Sequence, residues 1–211
     1  MTNLLRETEQ SVEGRVVRIA DRPIPFAHFI ELAEGHDVEL IDGVVVEKIM
    51  VQFDHEQCSA WLYHLAGLYV KRRGLGLMLS SRIMVEIDEF GGRMPDLLFV
   101  RQERLDIVKQ KAVYGAPDLV IEIISPNDRP SDLRVLEADY IRLGVPEIVF
   151  IDQKKQSIRF VRRREDGHVD EIVSAGTVEF ESIEGLSLDA AWILSEPRPD
   201  VYDTLTQLLA S

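Results

Sequence analysis

The sequence predicts a mixed α/β domain in which helices flank a sheet of both strand directions. Three observations carry this prediction. The pair Asp42-Gly43 separates two runs of β-branched and aliphatic residues, which is a strong signal for a hairpin. Apolar residues recur at helical spacing between residues 54 and 73, which indicates a helix with one buried face. The apolar run 119–124 precedes a second helical pattern and another strand-like run, as parallel strands joined by a crossover require.

The individual elements follow from periodicity and from the residues that end each run. The predicted helices cover residues 25–33, 54–73, 131–143 and 201–209. The predicted strands cover residues 38–41, 44–46, 77–79, 83–87, 97–100, 119–124, 148–151, 158–161 and 169–173. Pro117 and Pro126 bound the densest apolar run, which indicates a central strand buried on both faces. Ser131 is the expected N-cap of the third helix, and Gly144 is its expected end.

The chain is long enough for one compact domain with short tails. Residues 1–20 show no clear periodicity and are expected to form a loose N-terminal arm. Residues 21–195 are expected to form a single domain, and residues 196–211 a C-terminal helix or tail. The last two predicted strands are expected to form a peripheral hairpin. Residues 174–199 are expected to contribute only a surface strand and a loop.

The net charge of the chain is −13. A field of this sign repels polyanions, so binding to nucleic acid requires a local basic patch, metal ions or a partner. The best local patch is segment 154–164, which contains six Lys and Arg residues and no acid. The alternative interpretation is a solvated edge hairpin, in which Lys and Arg discourage strand pairing.

Cysteine use and hydropathy predict the compartment. Cys58 is the only cysteine, so an intramolecular disulfide cannot form and a reducing compartment is expected. The first ten residues include acids where a secretory signal has a basic head and an apolar run. No stretch approaches the roughly 18 consecutive apolar residues of a membrane span. The expectation is therefore a cytoplasmic protein that makes no membrane contact.

Two carboxylates are the strongest candidates for chemistry. Glu122 lies in the middle of the apolar run, where an ionised carboxylate costs several kcal/mol unless it is paired or bound to a cation. Asp96 follows Pro95 at the start of the predicted strand 97–100, so adjacent strands would bring the two acids together. Such a pair of hard oxygen donors suits Mg²⁺ or Mn²⁺. The alternative is a structural network, with Glu122 satisfied by Arg or backbone donors and Asp96 capping a turn.

Four segments, in their order along the chain, carry a resemblance to a known family. They are ELIDGVVVE at 39–47, PDLLFV at 95–100, APDLVIEIISP at 116–126 and the pattern DL…Y…GVPE…ID at 132–152. Together they resemble the Uma2 family of restriction-endonuclease-like proteins, a branch of the PD-(D/E)XK nuclease superfamily. The resemblance covers about three fifths of the chain, between residues 38 and 161.

The resemblance implies a nuclease-like core and a set of site residues. It implies that Asp96 is the acid of the Pro-Asp motif and that Glu122 is the second metal-binding acid. Glu39 matches a further acidic position that contributes to the site, and His55 matches a position where similar proteins also tend to carry His. The implied cofactor is Mg²⁺ or Mn²⁺, and the implied substrate is DNA. A homodimer is also expected, since a nuclease that cuts duplex DNA often presents one site to each strand.

The sequence departs from the family at the lysine that assists the reaction. One usual position for this lysine, two residues after the second acid, is Ile124, and the other, on the following helix, is Leu136. Arg129, in the loop after the Glu122 strand, is the best candidate substitute, although a guanidinium cannot act as a base. Arg134 lies about 160° around the helix from Leu136, so it is expected to point away.

Two functions from different classes therefore remain open. The first is a magnesium-dependent DNA endonuclease, in which Asp96 and Glu122 hold the metal and Glu39 or Arg129 assists. The second is a catalytically inactive binding or regulatory module built on the same fold, which the apolar residue at position 136 would favour. A third, an unrelated metal-dependent hydrolase of small phosphoesters, would suit the acidic surface but has no motif in this sequence.

Overall fold

The computed structural model describes residues 9–12, 15–18, 22–33, 36–47, 52–80 and 82–210. The helices are α1 Phe26–Leu32, α2 Phe53–Arg73, α3 Pro130–Leu143, α4 Ala190–Leu194 and α5 Val201–Ala210, with a 3-10 helix at Gln102–Ile107. The strands are β1 Glu9–Val12, β2 Arg15–Arg18, β3 Val38–Ile41, β4 Val44–Glu47, β5 Gly76–Ser80, β6 Met84–Asp88, β7 Gly91–Arg93, β8 Leu97–Arg101, β9 Ala112–Tyr114, β10 Leu119–Ile123, β11 Glu147–Asp152, β12 Ser157–Arg164, β13 Gly167–Val173, β14 Thr177–Glu179 and β15 Ser187–Asp189.

A six-stranded sheet forms the centre of the fold, in the order β13-β12-β11-β10-β8-β5. Strands β10 and β11 are parallel and are connected through α3, whereas the other neighbouring pairs are antiparallel. This arrangement confirms the predicted mixed sheet. The densest apolar run, β10, lies between β11 and β8 in this sheet, and all five of its residues are buried.

A second sheet has the strand order β1-β2-β4-β3-β7-β6-β9. The predicted hairpin joins β3 to β4, and Asp42 and Gly43 both have positive φ values, of 50° and 76°. Left-handed conformations at both central positions suit the tight hairpin turn for which Asp-Gly is favoured. Helix α1 packs on this sheet through Phe26 and Phe29, which are buried with Leu40.

Two apolar layers cover the faces of the six-stranded sheet. One layer contains α2, α4 and α5, which pack against alternate residues of β10 such as Leu119 and Ile121. The other contains α3 and β6, which pack against Val120. This alternation along β10 places the Glu122 side chain on the α3 side of the sheet, the same side as Val120.

Helix α2 illustrates how the sequence builds the larger layer. Cys58, Leu62, Leu65 and Tyr69 follow helical spacing and are buried on one face. Burial of each large apolar side chain of this kind stabilises the fold by about 1.5–3 kcal/mol. The helix ends at Gly74, which adopts the left-handed conformation and closes the last turn with backbone hydrogen bonds.

Three expectations are corrected by the structure. Residues 9–12 and 15–18, assigned to a loose arm, form a hairpin whose second strand pairs with β4, since backbone pairing needs no side-chain periodicity. The remaining residues of the predicted arm lie outside the described residues. Helix α3 begins at Pro130 after Arg129, and Ser131 does not cap it. A proline at the first helical position is already fixed near helical φ, which explains this start.

The segment 174–199 is the third correction, since it belongs to the core rather than the surface. Strands β14 and β15 pair with each other, and α4 follows directly. Its buried apolar residues join the layer built on α2; they are Val178, Phe180, Ile183, Leu186, Leu188, Ala190, Ile193 and Leu194. Helix α5 packs on the same layer through Leu205, so the C-terminal segment forms a helix as predicted. No helix in the described ranges is both long and apolar enough to cross a membrane.

Candidate metal centre

Asp96 and Glu122 lie at the same end of the pairing between β8 and β10. The two strands are antiparallel, and their last paired positions are Leu97 and Ile121. Asp96 directly precedes Leu97, and Glu122 directly follows Ile121. Both side chains are buried, with 6% of Asp96 and 7% of Glu122 exposed. The topology therefore brings together the two acids that the sequence singled out.

Asp96 is held by the neighbouring strand and by α2. Its Oδ2 atom accepts a hydrogen bond from the backbone N–H of Ile123 at 2.8 Å. The same oxygen lies 3.0 Å from Nε2 of His55, which is buried in the first turn of α2. His55 therefore reaches the site through Asp96, because α2 packs across the same sheet.

Glu122 is held from the opposite side by α3. The Tyr140 hydroxyl donates a hydrogen bond to Oε1 of Glu122 at 2.5 Å. Tyr140 is fully buried, and its burial together with the nearby Glu122 and Glu39 carboxylates raises the pKa of its phenol well above the ordinary value. The phenol therefore stays protonated and remains a hydrogen-bond donor at neutral pH.

Glu39 reaches the site through Arg93 rather than through either of the two central acids. One Glu39 oxygen accepts from Arg93 at 3.1 Å, and the other accepts from the backbone N–H of Met94 at 3.0 Å. Arg93 also donates twice to Oδ2 of Asp139, at 2.7 and 2.5 Å. Burial lowers the pKa of Arg93, but Glu39 and Asp139 outweigh burial and raise its pKa, so the guanidinium stays charged.

The two positions where the family carries lysine are filled by partly buried apolar residues. Ile124 and Leu136 both pack against the apolar layer beneath α3. Arg129 lies in the connection that follows Glu122 and is the N-cap residue of α3. Arg134 is exposed on α3, as the helical angle predicts.

The donor set suits a hard divalent cation. Mg²⁺ is usually held by one or two carboxylates together with water molecules, and Asp96 and Glu122 are two buried carboxylates at one end of the β8–β10 pairing. Among the described residues, no group of three or more His, Cys, Asp or Glu side chains is arranged to hold a metal ion. The two acids therefore match the type of oxygen donor that a partly hydrated divalent ion takes, whereas the described residues form no closed protein cage.

Three functional candidates escaped the sequence reasoning. The sequence predictions include Tyr140 only within the pattern at 132–152, and they include neither Arg93 nor Asp139. A usable signal existed for Tyr140, because a phenol on an otherwise apolar helix face usually finds a polar partner when buried. No local signal marks Arg93, since its partners lie 46 and 54 residues away in sequence.

The basic segment 154–164 is largely neutralised by acids. It contains the whole of β12, which lies in the six-stranded sheet beside the edge strand β13. Arg162 is buried, and Arg159 binds both oxygens of Glu137. These contacts favour the interpretation as an edge hairpin over a phosphate-binding patch. The ion pairs are Lys155 with Asp152, Arg159 with Glu137 and Asp170, Arg162 with Glu147 and Glu171, and Arg164 with Glu181.

Comparison with known proteins agrees with this architecture. The family model Uma2, described as "Putative restriction endonuclease", matches residues 26–191, more than half of the chain. A crystal structure of a "putative nuclease belonging to DUF820" from Anabaena variabilis ATCC 29413 has a similar fold, with a TM-score of 0.64 and 19% sequence identity. The similarity covers 88% of this chain and 99% of that chain, and it confirms the predicted fold class. None of the curated proteins matches this sequence.

Proposed function

The chain belongs to the Uma2 family of restriction-endonuclease-like proteins, and from this premise we propose that it is a divalent-metal-dependent endonuclease that hydrolyses DNA phosphodiester bonds. Family membership supports a nuclease function. The observation that carries the more specific proposal is the presence of two buried carboxylates, Asp96 and Glu122, next to the last paired residues of β8 and β10. Carboxylates in such an environment are stable when a cation or several donors face them.

Asp96 and Glu122 would hold Mg²⁺ or Mn²⁺ in this proposal. When bound, such an ion supplies Lewis-acid activation of the phosphodiester and of the attacking water. The backbone N–H of Ile123 and the His55 ring orient the Asp96 carboxylate. Glu39 supports the site indirectly. Its carboxylate accepts hydrogen bonds from Arg93 and from the backbone N–H of Met94, which lies two residues before Asp96.

Arg129 is proposed to supply positive charge in place of the family's lysine. It follows Glu122 along the chain and stands at the start of α3, where it can face a phosphate approaching the strand ends. A guanidinium stabilises developing negative charge but does not accept a proton. With Ile124 and Leu136 at the lysine positions, slow turnover is expected.

A cleavage assay tests the proposal. Supercoiled plasmid and single-stranded DNA are incubated with Mg²⁺ or Mn²⁺ and with wild type, Asp96→Ala or Leu136→Lys. The proposal predicts slow cleavage by wild type, none by Asp96→Ala and faster cleavage by Leu136→Lys. Arg129→Ala should lower the rate by roughly 100–1,000-fold, the range expected for one charge-stabilising donor, whereas the exposed Arg134→Ala should leave it unchanged.

A catalytically inactive binding or regulatory module is the second candidate, and the apolar side chains at both lysine positions favour it. If wild type does not cleave DNA and Leu136→Lys does, the chain is a nuclease scaffold that is inactivated by the residue at one position. If wild type and all folded variants fail to cleave a broad choice of DNA substrates, the endonuclease proposal is contradicted. The binding or regulatory module would then be the remaining candidate.

A homodimer that acts in the cytoplasm completes the proposal. Two sites related by a two-fold axis would address the two strands of a duplex, and the single buried Cys58 is compatible with a reducing compartment. Sedimentation equilibrium of the full chain, with and without a DNA duplex, measures the assembly state. A monomer under both conditions would contradict the dimer while leaving the nuclease proposal intact.

A further inference from the structure

The contact between Tyr140 and Glu122 is not part of the chemistry assigned above. Its 2.5 Å length is that of a strong hydrogen bond from a hydroxyl to a carboxylate. The two residues lie 18 positions apart and belong to different elements, α3 and β10. Tyr140 therefore ties the second acid to the helix that covers it.

The Tyr140 side chain is itself held in a fixed place. It is fully buried in the apolar layer beneath α3. Its neighbour in the chain, Asp139, is anchored by two hydrogen bonds from Arg93 and by an ion pair with Arg142 at 2.9 Å. Arg93 in turn binds Glu39 on β3. This set of contacts fixes α3 against the second sheet, so the hydroxyl meets Glu122 from a rigid support.

Tyr140 also stands close to the place where the family carries lysine on the helix. Position 136 precedes it by four residues, so Leu136 and Tyr140 are neighbours on one face of α3. In this chain a neutral phenol reaches the acid from that face. A phenol can orient a carboxylate but cannot offset charge on a phosphate.

We infer that Tyr140 is a positioning residue for metal binding, whose hydroxyl orients the Glu122 carboxylate toward a divalent cation shared with Asp96. This inference rests on the proposed metal site. Groups that hydrogen-bond a metal-binding carboxylate fix its orientation, and their loss commonly weakens metal affinity by about 10–100-fold. The chain therefore keeps the means to bind the ion even though both lysine positions are apolar.

The test is Mn²⁺ binding to the full chain, with free Mn²⁺ measured by electron paramagnetic resonance. Tyr140→Phe removes one oxygen atom and keeps the ring that packs in the core. It should raise the Kd for Mn²⁺ by roughly tenfold or more and should change the zero-field splitting of the bound ion. A purely structural role for Tyr140 would not alter the spectrum of the bound ion.

Tyr69→Phe is the matched control. Tyr69 is also fully buried, and its hydroxyl donates to the backbone oxygen of Glu184 at 3.2 Å, within the layer built on α2. This variant also loses a phenol hydrogen bond, one to a backbone carbonyl rather than to a carboxylate of the site, and it should retain the wild-type Kd and spectrum. Circular dichroism and thermal unfolding establish that both variants fold.

If Tyr140→Phe does not fold, a measurement on the wild type still tests the role of Tyr140. The chain has five tyrosines, so a sample with ¹³C at tyrosine Cζ gives few resonances, and the remaining Tyr→Phe variants assign Tyr140 by elimination. Addition of Mg²⁺ should shift the Tyr140 resonance and leave that of Tyr69 in place.

The outcomes separate the two proposals. Wild type that binds no Mn²⁺ overturns the metal site and this inference with it. Wild type that binds, with an unchanged Kd and spectrum in Tyr140→Phe, overturns the role of Tyr140 alone. Binding of Mg²⁺ that does not shift the Tyr140 resonance would also overturn the role of Tyr140 alone.

Discussion

At the scale of single residues, each acid of the proposed centre is fixed by a different helix. His55 on α2 meets Asp96, and Tyr140 on α3 meets Glu122. A buried carboxylate that lost such partners would be destabilised by several kcal/mol. Metal binding and a structural network are therefore not exclusive alternatives here, because the same hydrogen bonds that stabilise the acids also orient them.

Removal of the His55 ring tests the first of these contacts. His55→Ala should lower the free energy of unfolding by about 1–3 kcal/mol, because it takes a partner from the buried Asp96 carboxylate. Urea unfolding at neutral pH measures the change. His64→Ala is the control, since His64 is exposed on the same helix and should change stability by less than about 0.5 kcal/mol. Equal effects of the two substitutions would contradict the assigned contact.

The buried thiol of Cys58 predicts a loss of stability in alkali. Burial raises its pKa from 9.0 to about 11, against the opposing effect of Arg198. Because the folded pKa lies above the unfolded one, this contribution to stability is complete below pH 9 and is lost as the pH rises toward 11.

Urea unfolding across this range should show a steeper fall for wild type than for Cys58→Ala. The difference at the alkaline end is expected to be about 1–2 kcal/mol. Parallel pH profiles for the two proteins would show that the thiol does not titrate as assigned. A difference in unfolding free energy that stays the same at every pH would reflect only the loss of the buried sulfur atom from the core.

The sequence singles out the two acids of the proposed centre but not the groups that contact them. Glu122 is visible because a carboxylate interrupts an apolar run, which is a local pattern. Arg93 is recognisable only by its partners, and although a phenol on an apolar helix face signals that Tyr140 needs a polar partner, the partner itself comes from another element. Pairing between distant segments depends on sheet order and on helix placement, which one sequence does not display.

At the scale of elements, length decides what could be predicted. Helix α2 and strand β10 have enough residues on each face for periodicity to be read. Strands β7, β9, β14 and β15 have three residues each, which is too few to show a pattern. The segment 174–199 was therefore expected at the surface, although its apolar residues complete the layer beneath α2.

Two glycines near the junction of α2 and β5 should respond to alanine with opposite signs. At Gly76, φ is +149° and an added Cβ would lie 2.1 Å from the backbone oxygen of Val100, in the neighbouring strand. Gly76→Ala should therefore destabilise the fold by at least about 2 kcal/mol. At Gly67, inside α2, the nearest atom is Met78 Cβ at 3.8 Å, an ordinary contact.

Gly67→Ala should stabilise the protein by about 0.5–1 kcal/mol, because alanine loses less backbone entropy in a helix. Thermal and urea unfolding measure both variants. A stabilised Gly76→Ala would show that β5 does not pair with β8 in the register described, where Gly76 faces Arg101.

At the scale of the whole molecule, charge limits how DNA can bind. The chain has 37 acids and 24 Lys and Arg residues, and most of the cations in segment 154–164 are paired with acids. Affinity for a polyanion then depends on bound cations near the strand ends, where Asp96 and Glu122 would otherwise repel phosphate.

Binding of a DNA duplex should accordingly depend on a divalent ion. Fluorescence anisotropy in Ca²⁺, a larger ion that accepts oxygen ligands in flexible geometry, should show at least roughly tenfold tighter binding than in EDTA. Asp96→Asn should lower the affinity in Ca²⁺ toward the EDTA value. Tight binding that is indifferent to EDTA would instead locate the DNA interface on protein cations.

Anomalous diffraction from crystals grown with Mn²⁺ tests whether Asp96 and Glu122 share a divalent ion. We expect an anomalous peak in contact with carboxylate oxygens of both residues, with Tyr140 still hydrogen-bonded to Glu122. No peak at this position in the presence of saturating Mn²⁺, with both carboxylates bonded only to protein groups, would contradict the proposed metal site.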